Sequence, residues 1–364
     1  MTSADEARPR LFVRVDAGSS VGMGHFMRCV ALAQAWMTQA GEVFFIGNCQ
    51  ASALRQRLGD EGFGWQELTD QYPGPADCAE TIDFICQHRR QGRADWLVLD
   101  GYHFDVAYQQ QLRASGVRLL IIDDNHHLPF YHADAILNPN LYGPDIAYQC
   151  PAETLLLLGG RYTLLRTEFQ RWQEWQRTIP DRATRIFVVM GGGDQENVTL
   201  KTLEALFSLG LEGLEIRAVV GHTNPNCAFL QKAAAGAPCA VELLPALEDM
   251  PAMMAWADMA VTAAGQTCLE LACMGVPGIM VVTADNQETA AALFRDKGIF
   301  ETMGRWNGFT VRAFGDRILR LINAKDRRRR MSENGRRTVS SSGSANSVAA
   351  MLAAGNRGEA TARL

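Results

Sequence analysis

Short apolar runs alternate with longer segments of helical periodicity along this chain. In the first half the runs lie at residues 11–16, 42–47, 96–100, 118–122, 134–137 and 154–158. They are continuously apolar, which is typical of strands buried on both faces of a parallel sheet. Between the first two runs, apolar residues recur every three or four positions from Phe26 to Ala40, which predicts one helix face. Strand, helix and strand in this order predict a βαβ unit.

The same pattern restarts after a charged, tryptophan-rich segment. The second half has apolar runs at residues 185–190, 214–221, 240–244, 258–262 and 278–282, with helical stretches between them. We therefore predict an α/β protein of GT-B-like organisation, with two Rossmann-like, doubly wound domains facing a cleft. The predicted boundaries are 11–165 for the first domain, 166–183 for a linker, 184–340 for the second domain and 341–364 for a tail.

Composition and charge narrow the class of protein. The 364 residues carry 35 basic and 40 acidic side chains, so the net charge of −5 leaves no basic surplus for a nucleic-acid backbone. No apolar stretch approaches the roughly 20 residues of a membrane helix. Because residues 1–10 are also polar, we expect a cytoplasmic protein without membrane insertion. None of the nine cysteines stands in a C-x-x-C pair, which favours buried thiols over a disulfide frame or a zinc site.

The loop after the first strand combines glycines with a histidine and an arginine. It runs from Asp16 to Arg28 and contains Gly22, Gly24 and His25. Asp16, Gly22, Gly24 and Arg28 are predicted to bind the substrate. His25 and Arg28 stand three residues apart, so they share a face of the first helical turn. Imidazole exchanges protons near neutral pH, which makes His25 a candidate base, although a glycine-rich turn with a capping histidine explains the pattern equally well. The loop has neither the third glycine of a dinucleotide fingerprint nor the Gly-Lys-Ser/Thr of a P-loop.

Two further loops of the first half carry polar side chains just past a strand end. Tyr102 and His103 follow the run at 96–100, where ligand contacts collect in α/β sheets. A cluster of acids and imidazoles at 123–127 follows the run at 118–122. This cluster suggests a metal, but it lacks a complete ligand set, so a polar wall of the cleft is the favoured interpretation.

Two turns of the second half are candidates for ligand contact. Gly193 lies in a glycine-rich turn after the run at 185–190, where backbone amides and a helix N-terminus could meet a phosphate, although a tight βα turn explains the glycines equally well. Asn286 and Gln287 open the helix after the run at 278–282. They are typical of an ordinary capped helix start and are also placed to reach the cleft.

The loop after the run at 258–262 suits a pyrophosphate and a ribose. Its small residues leave room at a helix N-terminus, and an acid one turn later could accept hydrogen bonds from ribose hydroxyls. The residues concerned are Gly265, Gln266, Thr267 and Glu270. A capping box formed by Thr267 and Glu270 is the alternative explanation.

Taken in order, these segments resemble the PseG family, the UDP-sugar hydrolases of pseudaminic acid biosynthesis. The matching segments are 22–28 (G-x-G-H-x-x-R), 99–102, 122–124, 137–140, 159–169, 190–194 and 286–288. The resemblance covers roughly residues 11–300 and is specific as an ordered set rather than in any one motif. It implies a GT-B-like fold, shared with the glycosyltransferase MurG.

The resemblance also implies an activity and the residues that carry it. The family hydrolyses UDP-2,4-diacetamido-2,4,6-trideoxy-β-L-altropyranose to UDP and the free sugar, by attack of water at the anomeric carbon, without a metal or a cofactor. By resemblance, His25 would activate the water, Tyr102 would line the sugar pocket and Asn286 would contact the sugar or phosphate side. The residues expected to hold pyrophosphate and ribose are Gly265, Gln266 and Glu270.

Three other functions stay open at this point. A GT-B glycosyltransferase would pass the sugar to an acceptor hydroxyl and could place its base at the same position. A non-catalytic nucleotide-sugar binding protein would release no UDP. A UDP-sugar 2-epimerase that also hydrolyses would change the stereocentre at C2 of the product. Analysis of products with and without sugar acceptors separates these functions.

Overall fold

The chain folds into two compact units, each built on its own parallel β-sheet. The computed structural model describes residues 9–17, 23–39, 41–49, 52–89, 95–191, 193–221, 224–245 and 249–361. The first unit comprises Met1–Thr167 and Ser342–Leu364, and the second comprises Glu168–Ser341. Among the described helices, none combines the length and the apolar character needed to cross a membrane.

The first unit is a seven-stranded sheet with helices between the strands. Its strands are β1 (Leu11–Val15), β2 (Val43–Gly47), β3 (Gly64–Glu67), β4 (Trp96–Asp100), β5 (Arg118–Ile122), β6 (Ala135–Asn138) and β7 (Leu155–Leu158). Its first four helices are α1 (Met23–Gln39), α2 (Ser52–Asp60), α3 (Pro75–His88) and α4 (Val106–Ala114). The strand order is β3-β2-β1-β4-β5-β6-β7, and every pair is parallel.

The central strands are apolar on both faces because each face packs against its own buried cluster. Val13 of β1 and Val98 of β4 belong to a cluster that includes Phe26 and Val30 of α1. Their neighbours in sequence, such as Leu97, point into a second cluster on the opposite face. Side chains alternate across a strand, so a continuous apolar run fills two cores at once.

The register aligns the carboxyl ends of the central strands. Val15 pairs with Asp100, Asp100 pairs with Ile122, and Ile122 pairs with Leu137. Because these strands are parallel, the loops that follow them emerge at one edge of the sheet, where α/β folds bind ligands.

The second unit repeats this architecture with six strands. Its strands are β8 (Arg185–Val189), β9 (Glu215–Val219), β10 (Ala240–Leu244), β11 (Met259–Ala263), β12 (Gly278–Val282) and β13 (Glu301–Arg305). Its helices are α5 (Val198–Phe207), α6 (Cys227–Ala235), α7 (Met250–Trp256), α8 (Thr267–Cys273), α9 (Glu288–Asp296), α10 (Val311–Ile322) and α11 (Lys325–Thr338). The parallel order is β10-β9-β8-β11-β12-β13.

The segment predicted as a linker at 166–183 is mostly attached to the second unit. Arg177 donates hydrogen bonds to the carbonyls of Met254, at 2.6 Å, and of Met274, at 3.3 Å, and also to that of Ala257. These carbonyls lie at the ends of α7 and α8, where a cation is favourable. Burial lowers the pKa of Arg177 to about 9, and the carbonyls compensate part of the lost hydration.

The segment predicted as a tail at 341–364 forms a helix of the first unit, α12 (Gly343–Thr361). Val348 and Met351 of this helix are buried in the same cluster as the inner face of α1. Its start lies so close to the preceding chain that a Cβ at Gly343 would stand 2.1 Å from the Thr163 carbonyl oxygen, so only glycine fits. The apolar face of α12 therefore completes the first core.

Candidate functional site

The edge of the first sheet gathers side chains from three strand ends and from the start of α1. His25 Nδ1 lies 2.6 Å from Oδ1 of Asp100, the last residue of β4. Arg28, one turn further along α1, donates to the same carboxylate, with 2.6 Å from Nε to Oδ2 and 2.6 Å from Nη2 to Oδ1. The structure thus brings together His25 and Arg28, as the sequence analysis expected, on a carboxylate to which it had given no role.

Asp100 is ionised and can only accept hydrogen bonds. It is buried, and burial alone would raise its pKa, but the Arg28 guanidinium and His25 outweigh that effect and hold the pKa well below its ordinary value. Since an ionised carboxylate has no proton to give, the His25–Asp100 bond requires a proton on Nδ1 of the imidazole. In the neutral imidazole, Nε2 of His25 then carries the lone pair, which is the state that a general base needs.

Tyr102 is held beside His25 by a second carboxylate. Its hydroxyl donates to Oδ1 of Asp124 at 2.6 Å, and its ring lies edge-on to the His25 ring with centroids 4.7 Å apart. Arg28 joins the two acids, because its Nη1 donates to Oδ2 of Asp124 at 2.5 Å. Burial and the Asp124 carboxylate raise the pKa of Tyr102, so the hydroxyl stays protonated and remains a donor.

Asp16, predicted to bind substrate, lies in a buried network of its own. Its carboxylate accepts from Arg14 Nη1 at 2.6 Å, from the Asn48 amide at 2.8 Å and from His103 Nε2 at 3.0 Å. Burial would raise the pKa of Asp16, but His103 and Arg14 lower it well below its usual range. The carboxylate therefore fixes the end of β1 and the loop that contains His103, and it has few lone pairs left for a ligand.

The acid–imidazole cluster after β5 closes a tight turn. Asp123 is fully buried and accepts from the amides of Asn125 and His126, at 3.2 and 3.1 Å, and from the Tyr131 hydroxyl at 2.8 Å. His126 has a φ of 48°, a conformation that this capped turn stabilises. Within the described residues, no group of three or more histidine, cysteine, aspartate or glutamate side chains is arranged to hold a metal ion.

Two of the residues predicted to bind substrate, Gly22 and Gly24, are glycines of the first loop. Gly22 lies outside the described residues. Gly24 is exposed in the first turn of α1, and a Cβ there would meet nothing within 4 Å. A ligand can therefore approach the main chain at Gly24 without displacing a side chain.

In the second unit, Asp194 changes the interpretation of the glycine-rich turn. Its carboxylate accepts from the amides of Val198 and Thr199, at 2.8 and 2.9 Å, at the start of α5. The sequence analysis predicted that amides at this helix N-terminus could bind a phosphate. In the structure they donate to the Asp194 carboxylate, which caps the helix. Gly193 stands just before this cap, and a Cβ on it would meet nothing within 4 Å.

The loop between β11 and α8 is open at its glycine. Gly265 is exposed, with nothing within 4 Å of the position of a Cβ. Gln266 is the N-cap of α8 and makes no side-chain cap bond, while its Nε2 is buried without a partner among the described residues. Because the helix begins at Thr267 and not after it, Thr267 is not an N-cap and the capping-box explanation is wrong. Glu270 lies one turn into the same helix.

The turn before α9 places two polar residues differently. Gln287 uses its side-chain oxygen to accept from the Thr283 amide at 2.9 Å and from the Thr283 hydroxyl at 3.1 Å, which fixes the turn after β12. Asn286 is exposed at the centre of this turn, in the short 3₁₀ helix Asp285–Gln287. Gln287 therefore shapes the loop that presents Asn286.

Sequence reasoning missed the two carboxylates that organise the first site. Asp100 and Asp124 both stand in segments that carried the family resemblance, but Asp100 was given no role and Asp124 was predicted only as part of a polar wall of the cleft. The signal was available, because each is an acid at or just past the end of a buried strand, and buried acids need partners. The register that aligns these ends was not predictable from one sequence.

Comparisons with known proteins agree with this organisation. Residues 185–346 match the model of the Glycosyltransferase family 28 C-terminal domain. The spore coat polysaccharide biosynthesis protein SpsG of Bacillus subtilis (strain 168) is 22% identical over 293 residues, which are 79% of this chain and 82% of that protein. The UDP-2,4-diacetamido-2,4,6-trideoxy-β-L-altropyranose hydrolase of Campylobacter jejuni is 27% identical over 228 residues, which are 61% of this chain and 73% of that protein.

Solved structures agree on the fold. MurG of Acinetobacter baumannii superposes with a TM-score of 0.64 at 17% identity, covering 94% of this chain and 99% of that one. The resemblance to the PseG family and the GT-B-like, two-domain α/β fold are therefore confirmed. The chain therefore has a GT-B-like fold and is similar in sequence to proteins of polysaccharide biosynthesis and of UDP-sugar hydrolysis.

Proposed function

We propose that this protein hydrolyses a UDP-sugar at the anomeric C–O bond and releases UDP and a free 2,4-diacetamido-2,4,6-trideoxy sugar, as in pseudaminic acid-type nonulosonate biosynthesis. The observation that carries the proposal is the His25–Asp100 pair, in which a buried carboxylate fixes the proton on Nδ1 and leaves Nε2 as a base. The similarity to the Campylobacter hydrolase supports the substrate class.

In this mechanism, Nε2 of His25 takes a proton from water as the water oxygen attacks the anomeric carbon. The bond from that carbon to the diphosphate oxygen breaks, and UDP leaves with the electron pair. The proton transfer typically contributes a factor of about 10²–10⁴. Asp100 accepts a hydrogen bond from Nδ1–H throughout the reaction and stabilises the imidazolium that forms.

Tyr102 and Arg28 complete the sugar side of the reaction. Tyr102 is 39% exposed and offers an aromatic face to the sugar, while Asp124 holds its hydroxyl. Arg28 is buried between Asp100 and Asp124 and sets the spacing of the two acids. We assign Asp16 to positioning of the loop, and the main chain at Gly22 and Gly24 to close approach of the substrate.

The second unit holds UDP in this proposal. An exposed glycine and a helix N-terminus suit a diphosphate that bears negative charge as it leaves. The residues that we assign to UDP are Gly193, Gly265, Gln266, Thr267 and Glu270. Asn286 contacts the sugar or phosphate side, and Gln287 supports it through its bonds to Thr283. UDP is a good leaving group, so the mechanism requires neither a metal nor a cofactor.

Product analysis tests the proposal. The enzyme is incubated with a panel of UDP-linked 6-deoxy-diacetamido sugars, and the products are identified by NMR. Free sugar and UDP in equal amounts support hydrolysis. His25→Asn should lower turnover by orders of magnitude while UDP affinity stays unchanged, since the base acts mainly in the transition state. Near-normal turnover in this variant would remove His25 from the role.

A glycosyltransferase remains the second candidate, favoured by the match of residues 185–346 to a glycosyltransferase domain. The same base would then deprotonate an acceptor hydroxyl in place of water. The same incubation with added sugar acceptors separates the two functions, because a transferase consumes substrate only when an acceptor is present.

A further inference from the structure

A second histidine lies against Tyr102 and has no part in the mechanism above. The His127 ring is edge-on to the Tyr102 ring, with centroids 5.6 Å apart. The Tyr102 ring also lies edge-on to the His25 ring, with centroids 4.7 Å apart. His127 thus belongs to the surroundings of the proposed sugar site, although the sequence placed it in a cluster with no assigned chemistry.

His127 is oriented by a buried carboxylate in the same way as His25. Its Nδ1 lies 3.2 Å from Oδ1 of Asp123, which is fully buried. Burial would raise the pKa of Asp123, but its bonds from His127 and Tyr131 lower the pKa below its ordinary value. Because an ionised carboxylate only accepts, this bond requires a proton on Nδ1 of His127, and in the neutral imidazole Nε2 is then the acceptor.

The Nε2 atom of His127 is buried and, across the ranges that the structure describes, has no hydrogen-bond partner. A buried acceptor without a partner destabilises a fold, and such atoms in native proteins call for an explanation. The bond to Asp123 does not explain why an imidazole is present, because the Tyr131 hydroxyl and the His126 amide would hold that carboxylate without it. A phenylalanine could fill the same space without burying an acceptor that has no partner.

The ring is near enough to the surface for a ligand to reach it. The His127 side chain is 21% exposed, and its neighbour Tyr102 is 39% exposed. Nε2 itself is covered, so contact with a ligand requires a small shift of the surrounding side chains, of which Tyr102 is the most exposed. A lone pair repels phosphate oxygens, which only accept, so the partner is a donor group of the sugar and not the diphosphate.

We propose that His127 is a specificity-determining residue, whose Nε2 accepts a hydrogen bond from a hydroxyl or an acetamido N–H of the bound sugar. This inference rests on the proposed function, because it takes Tyr102 to line the sugar site. It explains why an imidazole is kept where an apolar ring would be more stable, since stability is often given up at functional positions.

His127→Phe tests the inference, because it keeps a ring beside Tyr102 and removes the Nε2 acceptor. It also removes the Nδ1 bond to Asp123, a carboxylate that the His126 amide and the Tyr131 hydroxyl still hold. We expect kcat/KM for the sugar substrate to fall about tenfold, the value of one hydrogen bond. Inhibition by UDP should be unchanged, and the melting temperature should be equal or higher. His132→Phe is the matched control, since His132 pairs with Gln110 on the surface; it should leave kcat/KM unchanged. Normal kcat/KM in His127→Phe, or a loss of activity together with a lower melting temperature, overturns the inference.

Substrate analogues identify the donor. Two UDP-sugars, one lacking a single hydroxyl and one with an acetamido N–H replaced by oxygen, are compared in the wild type and in His127→Phe. The analogue that lacks the recognised donor should be a poorer substrate for the wild type and an equal one for the variant. If the variant discriminates against both analogues as strongly as the wild type, Nε2 recognises neither group and the inference fails.

A failed hydrolase proposal is distinguishable from a failed inference. If the wild type releases no UDP from any UDP-sugar, the proposed reaction is wrong. The ¹⁵N resonance of the His127 Nε2, identified by its absence from His127→Phe, then decides the inference with the same UDP-sugars. A shift of that resonance on binding supports the acceptor role, whereas an unchanged resonance in the bound state overturns it.

Discussion

The two candidate sites differ in the groups that form them. At the edge of the first sheet, charged side chains are buried and locked to each other, with Asp100 between His25 and Arg28. In the second unit, the corresponding loop after β11 presents an exposed glycine and the start of a short helix. The first arrangement suits a step in which a proton moves, because its groups are already oriented. The second suits the binding of a bulky anionic group that must later leave.

The comparison predicts that changes at the first site affect turnover and that changes at the second site affect affinity. Asp100→Asn should produce the largest effect. An amide at this position can donate to Nδ1 of His25, so the imidazole can take the wrong tautomer, a change that costs up to about 10⁴-fold in kcat in a serine protease. We expect a loss of kcat of at least about 10²-fold here, with UDP affinity unchanged in calorimetry.

The control for Asp100→Asn is a buried acid outside the site. Asp258 is buried and accepts from the Thr184 and Arg185 amides, both at 2.9 Å. Asp258→Asn should lower the melting temperature but leave kcat of the folded enzyme near normal. Equal losses of kcat in the two variants would mean that the first site is no more than a structural ion network.

Glu270→Ala should produce the next largest effect, on binding alone. Loss of a buried, charged hydrogen bond to the nucleotide weakens UDP affinity by about 1–3 kcal/mol, measured by calorimetry. Because Thr267 is not the N-cap of α8, the variant loses no capping box, and UDP affinity is compared between folded proteins. Glu242→Ala, which removes an exposed ion pair with Arg217, is the control and should leave affinity unchanged. Unchanged UDP affinity in the folded Glu270→Ala enzyme contradicts the assignment.

Gly265→Ala should have a smaller effect, again on UDP affinity alone. A methyl group there meets no protein atom within 4 Å, so the fold should tolerate it. A ligand that approaches the main chain at this glycine should bind more weakly, by up to about tenfold. Gly59→Ala, in α2 and equally free of neighbours, is the control for the change itself. Full UDP affinity in Gly265→Ala would place the diphosphate elsewhere.

Removal of metals should have no effect. Asp123 is engaged in closing a turn and accepts from His127 Nδ1, and no described group of residues is arranged as a metal site. We expect full hydrolysis in excess EDTA, measured as UDP release. Activity that is lost in EDTA and restored by Mg²⁺ or Mn²⁺ would show that the diphosphate needs a cation and that the second unit alone does not stabilise it.

The sequence predicted the continuous apolar strands well, because burial on both faces leaves a strong signal. It missed the edge strands β3 and β13, whose residues are half exposed and include glycine and glutamate. It also treated the last residues as a tail, although Val348 and Met351 of α12 pack against α1. The apolar face of such a helix is visible in the sequence, but its partner lies more than 300 residues away in the chain.

The candidate site was predictable by residue type but not by geometry. His25, Arg28 and Tyr102 stand at strand ends and helix starts, where ligands collect. The function of Asp100 depends on the register of β1, β4 and β5, which a single sequence does not reveal. The cap formed by Asp194 on α5 was equally hidden, since a glycine-rich turn looks the same whether it holds a phosphate or an aspartate.

The central claim is that water attacks the anomeric carbon and that UDP leaves. The most direct test is hydrolysis of a UDP-linked diacetamido sugar in ¹⁸O-labelled water, followed by mass spectrometry of both products at early times. Attack at the anomeric carbon predicts one ¹⁸O in the free sugar and none in UDP. Label in UDP would mean cleavage at phosphorus, and sugar found only on an added acceptor, without ¹⁸O, would mean transfer; either result would contradict the account.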